Sequence, residues 1–257
     1  MYLTIQGLVL RVTAYNDTDA LLTVLSRDHG KLTVKARGLR KKNSPLTAPC
    51  QLLAFAEFTL FEYRGMYTIN EAHSIELFQQ LRKDLVKLSL GTYFVQAADV
   101  ISQEDLPNPE LLSLVLNCLY ALSKLDIPDK QVKAVFELRA ACLAGYEPDL
   151  YGCCRCGNPY PDRFDISQGR MECQGCRSAE SGGIRMPVKP GELDAMRYIC
   201  HCDPKRLFSF VVGERSFESL SYVTECYLST QLERGFSSLD FLKSLENPLD
   251  NLGDNNV

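Results

Sequence analysis

The sequence predicts an α+β multidomain chain, with a small N-terminal β-barrel followed by a helical domain that carries an inserted four-cysteine module. Three observations predict it. Apolar residues alternate with a period of two over residues 1–75, then recur with a helical period. Two C-x2-C pairs, Cys153/Cys156 and Cys173/Cys176, interrupt the helical part. The expected divisions are 1–76 for the barrel, 77–149 and 183–246 for the helical domain, 150–182 for the module, and 247–257 for a polar, acidic, disordered tail.

Five runs in the first part read as strands: residues 3–12, 19–27, 31–37, 52–63 and 66–72. Turn residues separate them at Asn16-Asp17, at Asp28-His29-Gly30, at Gly38 with Pro45 and Pro49, and at Arg64-Gly65. Five strands are too few for a two-sheet sandwich and fit a Greek-key barrel of the OB-fold type. Alternation along the third strand puts Leu32, Val34 and Ala36 on one face and Lys31, Thr33, Lys35 and Arg37 on the other. The loop that follows adds Arg40, Lys41 and Lys42.

Residues 31–42 thus hold six basic side chains and no acidic one. They read either as a solvated strand face or as a track for a phosphate backbone, and we favour the track. The formal net charge of −4 does not oppose this, because residues 1–80 carry +2 and the remainder −6. A local patch matters more to a polyanion than the sum. Aromatic side chains for base stacking are at hand in Tyr15, Phe58, Phe61, Tyr63 and Tyr67, although each taken singly reads as core.

In the helical part, Leu77, Leu81, Leu85, Leu88, Tyr93 and Val100 punctuate a first segment, which Pro107 and Pro109 break. Leu111–Leu125 is apolar on most sides and is expected to be central. Pro128 opens a third helix that stops at Gly145. Cys118 and Cys142 lie on apolar faces and read as core. A helix is expected from Glu192 to Ile199, and one long or two shorter helices over Phe217–Leu245.

Sixteen residues separate the cysteine pairs, inside the C-x2-C-x15–20-C-x2-C window of a four-cysteine zinc site. Two intervening residues let both thiolates of a pair reach one ion at about 2.3 Å. The expected ligands of one structural zinc per chain are Cys153, Cys156, Cys173 and Cys176. Two redox-active or disulfide pairs, an iron centre, or unliganded thiols are the alternatives. Four thiolates leave no position for water or substrate, which argues against a catalytic metal. Cys154 competes as first ligand, but Cys154 to Cys156 leaves only one residue between. Cys200-His201-Cys202 abuts a helix end, has no partner pair, and is not read as a metal site.

Eleven cysteines, an odd number, suit reduced thiols in the cytoplasm. The N-terminus reads as a strand, not a signal peptide, and no run approaches the roughly 20 apolar residues of a membrane span. Phosphate-loop, G-x-G-x-x-G, H-E-x-x-H and G-x-S-x-G patterns are absent, and the three histidines stand apart. The expectation is a protein that is not an enzyme.

Three segments carry a family resemblance: GLVLRVTAYNDTDALLTVLSRDHGKLTVKARGLRKKNSPL, FTLFEYRGM and FELRAACLAGYEPDLYGCCRCG. They resemble the bacterial recombination mediators of the RecO family, and the resemblance covers residues 1–245. It implies a non-enzymatic DNA repair factor, cytoplasmic and nucleoid-associated, that binds single- and double-stranded DNA and anneals complementary strands. It implies RecR and RecF as partners in loading RecA onto DNA coated by single-stranded-DNA-binding protein. Charge, position and resemblance together nominate Lys31, Lys35, Arg37, Arg40, Lys41 and Lys42 as DNA contacts. The resemblance also implies that the helical part receives the acidic, aromatic-ended tail of single-stranded-DNA-binding protein. Lys133 and Arg139 are candidate cations for that tail, with a solvated helix face as the bland alternative. An RNA- or ribosome-associated zinc-ribbon protein is the competing class, and a nucleic-acid enzyme with scattered carboxylates is a third.

Overall fold

The computed structural model describes residues 2–176 and 183–246. The expected disordered tail and the last residues of the cysteine module, 177–182, lie outside the described residues. Five strands come first: β1 (Tyr2–Ala14), β2 (Ala20–Ser26), β3 (Gly30–Ala36), β4 (Phe55–Tyr63) and β5 (Met66–Glu76). Helices α1 (Leu85–Ile101), α2 (Pro109–Lys124) and α3 (Asp129–Leu143) follow. Short strands β6 (Arg163–Asp165), β7 (Arg170–Glu172) and β8 (Arg185–Pro187) lead to α4 (Pro190–His201), α5 (Glu214–Gln231) and α6 (Ser237–Glu246).

The described chain divides into two compact units, residues 2–125 with 236–246, and residues 126–235. The helical part expected over 77–149 is therefore split after Leu125, and α6 rejoins the first unit. There Phe236 meets the ring of Tyr93 edge-on at 5.3 Å, and Ser238 Oγ donates to Gln96 Oε1 at 2.7 Å. A helical period in sequence tells which face is buried, not which distant helix buries it.

In the first unit the strands close into a barrel in the order β1-β2-β3-β5-β4. All pairings are antiparallel except β3 with β5, and β1 closes the barrel by pairing with β4. Ile5, Val9, Leu22, Val24, Leu32, Val34, Phe58 and Leu60 fill it. The alternation expected for β3 is present: Leu32, Val34 and Ala36 are buried. Gly30 has φ +65°, and a Cβ there would run into the backbone of Leu106, so the barrel lies tightly against the α1–α2 connection. Arg64 and Gly65, at φ 52° and 75°, form a two-residue β4–β5 loop with the doubly positive φ of a type I′ turn.

The start of α1 is later than the apolar pattern implies. A short 3-10 turn occupies Leu81–Lys83, and Asp84 then caps α1 by accepting the backbone N–H groups of Val86 and Lys87. The break expected at Pro107 and Pro109 separates α1 from α2, and Pro109 also opens α2, with Asn108 accepting from the Leu111 N–H.

In the second unit α3 and α5 lie against each other, and β7-β6-β8 form a three-stranded antiparallel sheet. Phe164 of β6 meets Tyr227 of α5 edge-on at 5.1 Å. Among the described residues no helix is long and apolar enough to cross a membrane.

Candidate metal centre and nucleic-acid interface

The cysteine centre is built by two tight turns. Gly157 N–H donates to Cys153 O, and Cys176 N–H donates to Cys173 O, each at 2.9 Å. Each turn brings its two sulfurs to one side, and the β6–β7 hairpin brings the turns together. The Sγ atoms of Cys153, Cys156, Cys173 and Cys176 all lie within 4.8 Å of one another. A tetrahedral ion bound at about 2.3 Å requires sulfurs about 3.8 Å apart, and Cys156 and Cys173 stand at 3.9 Å. Cys153 belongs to this group, and the exposed Cys154 does not.

The sulfurs differ in how readily they ionise. Burial raises the Cys153 thiol, but backbone N–H groups of Cys156, Arg155 and Cys173 outweigh it and bring the thiol down to about 6. The Cys156 sulfur, burial and the Cys153 sulfur push Cys176 up to about 12. Four thiolates cannot share this volume unless a positive ion neutralises them, and the donor set fits a soft divalent one. Charged residues brace the frame: Arg155, inside the first pair, reaches Glu172 at 3.8 Å, and Arg185 bonds Glu172 and Asp165.

Elsewhere, Cys142 and Cys200 place their sulfurs 3.7 Å apart, but no third donor among the described residues joins them. Among the described residues the Cys153 group is the sole cluster of three or more ligating side chains.

The six cations of residues 31–42 fall into two sets. Lys31 Nζ donates to Asp99 O at 2.8 Å and pairs with Asp99 Oδ1 at 3.3 Å. Its backbone bonds Gln103 and Asp105, so Lys31 forms the seam between β3 and the end of α1. Lys35 pairs with Asp19 at 3.2 Å and lies over the Tyr15 ring at 4.6 Å. The Gly38 N–H, against burial and helped by Lys35, holds the Asp19 carboxyl well below the usual carboxylate range. Arg40 is exposed and donates to Asn16 O at 2.6 Å.

Arg37, Lys41 and Lys42 are exposed and have no acidic partner among the described residues. The sequence pattern could not separate the two sets, because Asp19 and Asp99 approach only after folding. Of the aromatic candidates, Phe58 is fully buried, whereas Tyr15, Phe61 and Tyr63 are exposed, Tyr15 with Lys35 over its ring. Exposed Tyr2, which the sequence reading missed, pairs across the strands with Phe61.

Lys133 requires a correction. It is 6% exposed and bonds Glu137 at 2.9 Å and Glu225 at 2.8 Å, so it is neither a solvated cation nor one offered to a partner. Burial pulls its pKa down, but the two carboxylates outweigh this and hold it above the ordinary lysine value. Arg139 is half-buried and donates to the carbonyls of Ile199 and Cys200 at the C-terminal end of α4, where helix carbonyls lack partners.

Two family models match the chain. Recombination protein O N terminal covers residues 1–78, and Recombination protein O C terminal covers residues 82–240. The chain is 34% identical over 247 residues to the DNA repair protein RecO of Acetivibrio thermocellus, spanning 95% of this chain and 98% of that one. It is 29% identical to the RecO of Alkaliphilus metalliredigens, across 95% of this chain and all of the other. Against the RecO of Heliobacterium modesticaldum it is 30% identical, across 93% and 89%. The barrel, helices α1 to α5 and the described cysteine module lie within the residues that the two family models match, and the chain belongs to the RecO family.

Proposed function

We propose that this protein is a non-catalytic DNA repair and recombination mediator. In this reading it binds single- and double-stranded DNA, anneals complementary strands, and works with RecR and RecF. Together they help RecA onto DNA coated by single-stranded-DNA-binding protein. The observation that carries the reading is the kinship over both halves of the chain to proteins named DNA repair protein RecO.

The barrel supports it with Arg37, Lys41 and Lys42, cations that folding leaves uncompensated among the described residues. These three are the proposed principal phosphate contacts, with exposed Arg40 beside them. Phosphate contacts position a protein without reading sequence. Lys31 and Lys35 shape the same surface through Asp99 and Asp19. A partner surface for the acidic tail of single-stranded-DNA-binding protein belongs to the reading too, but Lys133 is not part of it.

Zinc is the proposed occupant of the four-cysteine centre, where it supplies a cross-link between two turns and no chemistry on a substrate. Reduced thiols in the cytoplasm, at the nucleoid, suit both the metal and the DNA.

The test is annealing of complementary strands coated with single-stranded-DNA-binding protein. Replacing Arg37, Lys41 and Lys42 by Glu is expected to abolish annealing while zinc content and circular dichroism stay unchanged. Tighter binding to structured RNA than to single-stranded DNA would redirect the reading to the ribosome-associated class. Metal-dependent cleavage or ATP turnover by the purified protein would overturn the non-catalytic assignment.

A further inference from the structure

We propose that the outer face of the barrel beside the β4–β5 turn holds a stacking subsite for unpaired DNA bases, formed by Tyr2, Phe61 and Tyr63 and rimmed by Arg37. The inference rests on the DNA-binding reading above and adds to it a place where bases, not phosphates, are held.

The residues come together through barrel closure. Tyr2 of β1 stands opposite Phe61 of β4, with ring centroids 5.3 Å apart and planes tilted by 53°. Across the next seam Tyr63 stands opposite Met66, and Phe61 opposite Thr68. Leu60 is fully buried, so the two-residue period of β4 sends Phe61 and Tyr63 outward. Exposure is large for such side chains: Tyr2 63%, Tyr63 60%, Met66 54% and Phe61 40%. A contiguous exposed apolar patch on a small barrel marks a binding surface more often than chance placement.

Between these side chains lies a cavity of about 330 Å³, also lined by Arg37, Thr68 and Asn70. That is the lower end of the roughly 300–1,000 Å³ range of ligand pockets.

The lining selects the occupant. Flat rings offer stacking faces that every base can use. Thr68 and Asn70 supply a hydroxyl and an amide for base edges. The charged side chain that lines the cavity is Arg37, and Arg64 of the turn lies over the Tyr63 ring at 5.2 Å. Arg64 occupies a left-handed position of the turn, φ 52°, where Asn or Gly is the favoured residue, so its charge sits at the tip despite the backbone. Arg37 belongs both to this cavity and to the cation segment that continues to Lys41 and Lys42. A single strand can therefore run its phosphates along residues 37–42 with bases turned onto the rings. Duplex bases are already stacked on one another and have no face to offer, so the subsite acts on single strands alone.

The chain contains no tryptophan, so Tyr63→Trp creates a sole indole reporter at the subsite in the full-length protein. Oligothymidine is expected to quench it, and a duplex of the same length is not. Phe61→Ala with Tyr63→Ala is expected to weaken oligothymidine binding roughly five- to a hundred-fold. Duplex affinity and the salt dependence should stay at wild type, because no phosphate contact is lost. Tyr63→Phe, which keeps the ring, should bind as wild type.

An unquenched indole, or a folded double-alanine variant with wild-type oligothymidine affinity, overturns the subsite. If the Arg37, Lys41 and Lys42 reversal still weakens binding in that case, the DNA-binding reading survives without it. Equal weakening for single strand and duplex also overturns the subsite. A wild-type protein that binds neither removes the DNA-binding reading and the subsite together.

Discussion

The barrel buries a continuous apolar interior, from Ile5 and Val9 through Leu22, Leu32 and Val34 to Phe58 and Leu60. The cysteine module buries Leu150, Phe164, Ile166, Met171, Met186 and Val188, and must also accommodate buried Asp165 and Glu172. The barrel is held by its core, so part of its surface charge is not committed to folding. The module's sulfurs and charges are consumed in holding its shape: Arg155 and Arg185 serve Glu172 and Asp165, and four thiols converge on one point. The difference teaches where to look for ligands of each kind, with a structural ion at the module and a mobile polyanion at the barrel.

The largest effect should come from breaking the module. Cys173→Ser is expected to release the metal and unfold residues 150–176, because structural zinc contributes on the order of 10–16 kcal/mol in small modules. Elemental analysis and limited proteolysis read this out. Cys154→Ser should keep full zinc content, and equal loss in both variants would mean that the ligand set is wrong. The barrel should keep its own unfolding transition in either variant.

Next in size is the buried pair of the second unit. Lys133→Met leaves Glu137 and Glu225 without their cation and is expected to cost about 3–5 kcal/mol in denaturant unfolding. A loss below 1 kcal/mol would mean that water reaches these carboxylates.

Much of this molecule was legible in its sequence, and the reason differs by element. The convergence of the four cysteines was legible because metal geometry demands local spacing, and spacing is a sequence property. The faces of β3 were legible because strand alternation is local as well. What stayed hidden depends on distant pairing. Lys31 meets Asp99, Lys133 meets Glu225, and Tyr2 meets Phe61 only once helices pack and β1 closes onto β4. A buried lysine such as Lys133 looks in sequence like any solvated helix charge. The return of α6 to the first unit was hidden for the same reason.

Within the barrel, the two sets of cations can be separated. Lys31→Ala strips Asp99 of its half-buried partner and should cost about 1 kcal/mol of stability. Lys41→Ala should stay within about 0.5 kcal/mol, as exposed substitutions do. Equal costs would erase the distinction between paired and free cations.

The smallest effect is a pH dependence at Asp19. Its folded pKa lies below its unfolded value of about 3.9, so its stabilisation is complete above that value and is lost as pH falls through the folded one. Amide exchange at Gly38, whose N–H bonds Asp19 Oδ1 at 2.9 Å, should stay slow from neutrality to about pH 4 and quicken only in stronger acid. Asp19→Asn should remove that dependence.

The most direct test of the account is the salt dependence of single-strand binding. If Arg37, Lys41 and Lys42 reach phosphates together, they contribute about −2 to the slope of log affinity against log salt, from −0.7 for each contact. Reversing all three to Glu in the zinc-loaded protein is expected to lower affinity and flatten the slope by about that amount, with the fold intact. A folded triple variant with wild-type affinity and slope would contradict the assignment of the strand to this face of the barrel.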